Sequence, residues 1–144
     1  MSHRLACDIP DRIAAIVSLA GATWNDAAMC PGGAVVNVLQ VHGTEDETIL
    51  YDGGDNVGLV YPSAPDTVAQ WAASNGCTGE LVQDGTADLE TSITGEETVQ
   101  ASYADCPPGG QVALWTMDAA GHVPSLDDGW ADAVWAYLDA HPKP

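Results

Sequence analysis

Two short motifs that carry acid and histidine side chains each follow an apolar run, and this arrangement limits the possible folds more than any other feature of the chain. His42-Gly43-Thr44-Glu45-Asp46 closes the run 34–41, and Gly121-His122 follows the run 112–117. The first run is apolar on both faces, as central strands of a parallel sheet are. Because open α/β sheets gather their sites at the carboxyl ends of parallel strands, we expect the acid and the histidine to meet there.

The order of these groups is typical of one kind of catalytic site. An acid after one strand and a histidine after a later strand are the last two members of a Ser…Asp…His triad in an α/β-hydrolase. Asp46 would orient His122, which would act as general base and acid. Glu45, Glu47 and Asp118 are the other candidate acids.

The nucleophile of such a triad is missing from the sequence. No Gly-x-Ser-x-Gly occurs, because no serine has glycine on both sides. The pattern therefore predicts the carboxyl half of a serine hydrolase, with the nucleophile a few residues before Met1. Of the remaining histidines, His42 is expected to hydrogen-bond locally at the end of its strand, and His3 and His141 are expected to be exposed.

Further short motifs follow one another along almost the whole chain. They are Met1-Ser2, Leu5-Ala6-Cys7, Asp11-Arg12, Ala14-Ala15, Ala20-Gly21, His42 to Asp46, Tyr51-Asp52-Gly53-Gly54, Trp71, Asn75-Gly76-Cys77, Tyr103, Cys106, Gly121-His122 and His141-Pro142-Lys143. Because these motifs occur in this order, the sequence resembles secreted polyhydroxybutyrate depolymerases and the related feruloyl and acetylxylan esterases. One loop departs from that family, since Val123-Pro124-Ser125 stands where Trp-Pro-Gly usually follows the catalytic histidine.

The resemblance implies a fold class and a function. Residues 1–144 would form a single partial domain, the carboxyl-terminal part of an α/β-hydrolase fold, without its nucleophile-bearing half. About three parallel core strands, flanking helices and a small β-hairpin excursion are expected. The function implied is an extracellular carboxylic-ester hydrolase that acts on polymeric or aromatic esters and needs no cofactor. The alternative is a non-catalytic, acid-rich extracellular binding or assembly domain.

Four cysteines in a chain of this size favour an oxidising compartment. No Cys-x-x-Cys is present, which disfavours a zinc ribbon or a thioredoxin-like centre. Four cysteines allow three connectivities, and free buried thiols are the other possibility. The family resemblance implies a Cys77–Cys106 disulfide, which leaves Cys7 to pair with Cys30 by elimination.

Local signals predict the remaining elements. A helix is expected before the strand 13–20, and Ser63-Ala64-Pro65-Asp66 should begin a helix that ends at Asn75-Gly76. The segment 91–103 predicts a hairpin away from the main sheet. Strand 111–117 and a last helix complete the fold; that helix has an apolar stripe formed by Trp130, Val134, Tyr137 and Leu138.

Two other groups of residues have a less specific pattern. Trp24, Tyr51 and Trp130 would line a substrate cleft or, more commonly for such residues, pack in the core. Asp52 to Asp55 and Asp84 to Asp88 lack the alternating oxygen ligands of a calcium loop, so no metal site is predicted.

The charge of the chain excludes some partners. There are 21 acids and 3 bases, for a net charge of -18, and the bases are Arg4, Arg12 and Lys143. Nucleic acid and anionic membrane surfaces are therefore excluded on electrostatic grounds. A salt-rich habitat tolerates such a surface because counterions screen it; the alternative is a merely acidic secreted protein. Self-association through an unpaired edge of the strand Ile13 to Ala20 is also expected.

The charge generates a prediction about salt. With a net charge of -18, self-repulsion destabilises the compact state at low ionic strength, so Tm should rise substantially between low salt and molar sodium chloride. Calorimetry across a sodium chloride series measures this rise. A Tm that stays flat or falls across the series would contradict the halophilic interpretation.

Overall fold

A computed structural model describes residues 1–30 and 32–144 of the chain. Its seven strands are β1 (Ala15–Leu19), β2 (Asn37–Gly43), β3 (Gly54–Asn56), β4 (Leu59–Tyr61), β5 (Leu81–Ala87), β6 (Thr98–Tyr103) and β7 (Val112–Met117). Five of them form one sheet in the order β1-β2-β7-β6-β5, and β3 and β4 form a separate two-stranded sheet. The site motifs therefore follow β2 and β7, which are neighbours in the large sheet.

The expected fold class is wrong, because the large sheet is mixed. β1, β2 and β7 run parallel to one another, but β6 is antiparallel to β7, and β5 is antiparallel to β6. The hairpin expected away from the main sheet within 91–103 is not formed: the one strand of that segment is β6, which pairs with β5 and β7 inside the main sheet. The structure is thus a five-stranded mixed sheet with a small second sheet and three helices, not an obvious α/β-hydrolase core.

The composition of β5 explains why the sequence did not reveal this pairing. Its residues are Leu-Val-Gln-Asp-Gly-Thr-Ala, and most of them are exposed or half-buried. The pairing with β6 also shifts register between Gln83 and Gly85. Antiparallel strands tolerate a solvated face, so β5 lacks the continuous apolar run by which β1 and β2 were recognised.

The three helices are α1 (Ser2–Asp8), α2 (Ala64–Asn75) and α3 (Trp130–Ala140). The predicted caps of α2 are confirmed. The amide of Asp66 donates to the Ser63 hydroxyl oxygen (3.0 Å), and Gly76 ends the helix in the left-handed region at φ 79°. Among the described residues, no helix has the length and apolar character needed to cross a membrane.

The parallel strands β1, β2 and β7 of the large sheet are covered by the helices, which lie on both faces. One apolar cluster includes Val38, Val68 and Leu114, on the face that α1 and α2 cover. The other includes Leu39 and Trp115, on the face that receives Tyr137 of α3. Because successive residues of a strand point to opposite faces, Gln40 and His42 of β2 lie on the same face as Val38, towards α1 and α2.

Two disulfides join loops to these helices. Cys7 of α1 bonds Cys30, and Cys77, just after α2, bonds Cys106 after β6. This is the connectivity that the sequence analysis preferred. The first bond holds α1 against the loop that follows β1, and the second holds the end of α2 against the turn that follows β6.

β1 lies at one edge of the large sheet and pairs with β2 alone among the described strands. The Ser2 hydroxyl donates to the Val17 carbonyl (3.1 Å). Edge strands tend to recruit another chain. Self-association through Ile13 to Ala20 therefore stays a prediction.

Candidate active site

Asp46 and His122 come together at the carboxyl ends of two adjacent parallel strands. β2 and β7 are in register from Val38 opposite Val112 to Gly43 opposite Met117. Both strands therefore end at the same end of the sheet, and the loops that follow them lie side by side. The sheet register therefore determines which residues of the two loops can meet.

Gly43 allows the two loops to lie in contact. A Cβ atom at this position would overlap the backbone carbonyl of Ala120, so a larger residue would push the loop after β7 away. Across this contact the Thr44 amide donates to the Met117 carbonyl and the Glu45 amide to the Ala120 carbonyl, both at 3.0 Å. These hydrogen bonds hold the loop that leads to His122 against the loop that follows β2.

The turn between β7 and His122 is held in an unfavourable backbone conformation. Ala119 has φ 58°, in the left-handed region that non-glycine residues seldom adopt. Its amide donates to the Thr44 hydroxyl oxygen (2.8 Å), and the Thr44 hydroxyl donates to Asp118 Oδ1 (3.3 Å). The side chain of Thr44 therefore stabilises this turn.

The far side of the His122 loop is held by a second carboxylate, Glu90. Its Oε1 accepts the Ser125 amide (2.7 Å), and the Ser125 carbonyl accepts the Thr91 amide (2.8 Å). The pKa of Glu90 is lowered, chiefly by its hydrogen bond with the Ser92 hydroxyl, so the carboxylate is ionised at neutral pH. Sequence reasoning did not identify Glu90, and no local motif marks it.

The central contact is a hydrogen bond of 2.8 Å between His122 Nδ1 and Asp46 Oδ2. The Asp46 side chain is fully buried, whereas that of His122 is 36% exposed. The amides of Thr48 and Ile49 each donate to Asp46 Oδ1 at 2.8 Å. The acid is thus held in the interior while the histidine reaches the surface.

The protonation of this pair follows from its surroundings. Burial raises the pKa of Asp46, but the hydrogen bonds from His122, Ile49 and Thr48 lower it by more than burial raises it. The pKa of Asp46 is therefore below its usual range. Asp46 is therefore an anion at neutral pH, and His122 Nδ1 must carry the proton that it donates. Among the described residues no group hydrogen-bonds to His122 Nε2, and the side chain of His122 is partly exposed.

The other candidate acids do not contact His122. Glu45, Glu47 and Asp118 are all exposed, and Asp118 bonds Thr44 instead. Among the described residues, no group of three or more His, Cys, Asp or Glu side chains is placed to hold a metal ion. The structure thus brings together Asp46 and His122 alone of the predicted catalytic residues.

His42 is buried beside the pair. Its Nε2 hydrogen-bonds the Ile49 carbonyl (2.8 Å) and lies 3.2 Å from Asp46 Oδ2. Its Nδ1 faces Gln40 Nε2 at 3.2 Å. The local hydrogen bond expected for His42 is present, but the contact with Asp46 was not foreseen.

A continuous line of buried polar groups leads from His42 to the helices. Gln40 Oε1 lies 3.1 Å from His3 Nε2, and the Trp71 indole N–H donates to His3 Nδ1 (3.0 Å). The expectation that His3 is exposed is wrong, since His3 is only 4% exposed. The spacing of His3, Ala6 and Cys7, one buried face of a helix, was the signal that could have found it. His141 is half-buried, not exposed, and its Nδ1 bonds the Tyr137 carbonyl.

A cleft of about 320 Å³ adjoins the turn that holds Asp46, with Ile49 of that turn in its lining. The residues that line it include Gly21, Trp24, Ile49, Leu59 and Tyr61, and none of its lining residues carries a charge. Ile49 belongs to both features, because its amide donates to Asp46 Oδ1 and the residue lines the cleft. We call this the hairpin cleft, since β3 and β4 form one wall.

Of the three aromatic residues expected to line a cleft or to pack in the core, each lies in a different part of the structure. Trp24 lines the hairpin cleft, the Tyr51 hydroxyl bonds the Thr116 hydroxyl (2.9 Å), and Trp130 packs on the core beneath α3. A larger cavity of about 510 Å³ lies beside Cys30 and α2, and neither Asp46 nor His122 lines it. Asp46 and His122 do not line the hairpin cleft either; this cleft adjoins the candidate site through Ile49, whose amide donates to Asp46 Oδ1.

Comparison with known proteins supports a distant esterase relationship. No protein-family model matches the chain. The chain is 28% identical to feruloyl esterase B of Piromyces equi over 130 residues, which is 85% of this chain. It spans only 22% of the length of that esterase. The two disulfides and the esterase relative fit an extracellular protein.

The buried His3 generates a prediction about acid stability. Burial lowers its pKa from 6.5 to about 4, partly offset by the hydrogen bond with Gln40. The unfolded chain therefore binds more protons than the folded chain between these values, so stability falls as the pH falls through this window. The full loss is about 3 kcal/mol.

Urea unfolding between about pH 7 and about pH 5 measures this loss. His3→Gln cannot titrate, so we expect its free energy of unfolding to fall less over this range than that of the wild type. His141→Gln, at the half-buried histidine, is the matched control and should retain the wild-type slope. Equal slopes in His3→Gln and the wild type would contradict the assignment.

Proposed function

We propose that this chain supplies the acid and the base of a serine carboxylic-ester hydrolase. The observation that supports the proposal most directly is the 2.8 Å hydrogen bond between buried Asp46 and Nδ1 of the partly exposed His122, with no described residue hydrogen-bonded to His122 Nε2. A histidine held in this tautomer by an anion is the arrangement that accepts a proton from a serine hydroxyl. The nucleophile would come from residues outside the printed chain.

The proposed reaction has two steps. In the first, a serine oxygen bonds the ester carbonyl carbon while His122 Nε2 takes the serine proton and then gives it to the departing alcohol. In the second, water attacks the acyl-serine, His122 takes a proton from the water and returns it to the serine oxygen. In both steps Asp46 stabilises the imidazolium and holds its orientation.

The nucleophilic serine of this proposal is not one of the residues that contact His122 in the part of the chain that the structure describes. No serine hydroxyl of the described residues hydrogen-bonds to this ring. The donors that would stabilise the developing oxyanion are likewise not identified in this chain. By this proposal the chain alone does not hydrolyse esters by a serine mechanism.

The hairpin cleft supports an uncharged ester as the substrate class. Its lining carries no charge, although the whole chain has a net charge of -18. Its volume of about 320 Å³ is at the lower end of the range for small-molecule sites. We therefore propose that the cleft accepts an aromatic or other apolar group of an ester, in a protein that acts outside the cell.

The test uses the reading frame that contains this chain together with its upstream segment. We expect a Gly-x-Ser-x-Gly just before Met1. In the extended protein a fluorophosphonate probe should label that serine, and His122→Ala should lower kcat/KM for p-nitrophenyl esters by a factor on the order of 10⁴ or more. His141→Ala, which changes a histidine remote from Asp46, is the control and should leave the activity unchanged.

Three results would contradict the proposal. The upstream frame could lack a serine in this setting, the printed chain alone could be labelled on a serine with ester turnover, or His122→Ala could leave the extended protein fully active. The first result, together with specific binding of an extracellular ligand by the printed chain, would favour the non-catalytic binding or assembly domain.

A further inference from the structure

The buried polar groups behind the candidate site form a chain of hydrogen bonds that runs in one direction. Trp71 lies at its start and His42 at its end, with His3 and Gln40 between them. Each of these four side chains is at most 5% exposed, so water cannot replace the bonds. The direction of these hydrogen bonds is determined because some of the groups that form them can only donate and others can only accept.

The first anchor is the Trp71 indole. Its Nε1–H can only donate, so His3 Nδ1, 3.0 Å away, must accept. A neutral His3 then carries its proton on Nε2 and donates it to Gln40 Oε1 at 3.1 Å. Burial lowers the pKa of His3 to about 4, in keeping with a neutral ring.

The second anchor is independent of the first. Gln40 Nε2 lies 2.7 Å from the Gly21 carbonyl, which can only accept. The amide of Gln40 must therefore face Gly21, whatever the state of His3. The same Nε2 lies 3.2 Å from His42 Nδ1, so that nitrogen accepts and the proton of His42 lies on Nε2.

We propose that His42 is a positioning residue for the acid of the candidate site, held in its Nε2–H tautomer by the chain that begins at Trp71. Its Nε2–H donates to the Ile49 carbonyl and presents its positive edge to Asp46 Oδ2. Ile49 in turn donates its amide to Asp46 Oδ1. His42 thereby stabilises both the turn that holds Asp46 and the charge on Asp46.

The opposite tautomer would undo both effects. A bare Nε2 lone pair would face the Ile49 carbonyl at 2.8 Å and the Asp46 carboxylate at 3.2 Å, and all three groups would repel one another. Asp46 would then be a weaker acid and a poorer partner for His122. The catalytic meaning of this inference rests on the proposed function, but the tautomer and the contact with Asp46 do not.

A paired substitution separates donation from space filling. Glutamine and methionine have similar length and flexibility, but only glutamine can donate a proton from the position of Nε2. His42→Met should raise the pKa of the Asp46 carboxyl, since the anion loses a favourable dipole and its turn loses an anchor. His42→Gln should leave that pKa close to the wild-type value.

The measurement uses NMR on the printed chain. Carboxyl ¹³C shifts report the titration of Asp46, and ring ¹⁵N shifts report the tautomers of His42 and His122. The wild type should show His42 with an unprotonated Nδ1 and a protonated Nε2, and His122 with the reverse. Gln40→Glu, which replaces the donating amide by an acceptor, should cause His42 Nδ1 to become protonated.

The outcomes distinguish the inference from the proposed function. If His42→Met leaves the pKa of Asp46 unchanged, if both substitutions raise it equally, or if His42 Nδ1 is protonated in the wild type, the positioning role is wrong. These readouts need neither a nucleophile nor a substrate. An extended protein without ester hydrolysis would overturn the proposed function and leave the NMR result intact.

Discussion

A buried carboxylate without a permanent cation beside it is the constraint on which the candidate site depends. Transfer of the Asp46 charge into the interior costs several kcal/mol unless partners offset it. Among the described residues, the three bases lie elsewhere: Arg4 pairs with Asp8, Arg12 is exposed, and Lys143 binds backbone carbonyls. N–H groups must therefore balance the charge of Asp46. They come from its own turn, from the edge of His42 at the end of β2 and from His122, so the stretch from β2 through the turn and the loop after β7 must be in place together.

The architecture brings these segments to one point. The parallel pairing of β2 and β7 starts both loops at the same edge, and Gly43 lets them touch. The alternation of β2 turns Gln40 and His42 towards α1 and α2, where His3 and Trp71 complete the line of hydrogen bonds. The Cys7–Cys30 disulfide holds α1, which carries His3, against the loop after β1. The site is therefore supported by hydrogen bonds that extend from β2 to the two helices on this face of the sheet.

The features that the sequence predicts correctly are local in origin: the caps of α2 and the apolar runs of β1, β2 and β7 depend on short patterns. Short patterns also single out Asp46 and His122, which the structure places in contact and whose catalytic role stays a prediction. The mixed sheet was missed because β5 and β6 carry polar residues on a solvated face, so the fold class was wrong. The roles of His3 and Gln40 were missed because their bonds join residues 37 and 68 positions apart, which no local spacing records.

The candidate site depends on an ionised, buried Asp46 that holds His122 with its proton on Nδ1 and leaves Nε2 to accept a proton. Ring ¹⁵N NMR of the printed chain at neutral pH measures this directly, with Asp46→Asn as the comparison. We expect the Nδ1–H tautomer in the wild type and its loss in Asp46→Asn, because an amide nitrogen can turn towards the ring and impose the other tautomer. If His122 of the wild type carries its proton on Nε2, or if Asp46→Asn leaves the tautomer unchanged, Asp46 does not hold the ring in this way.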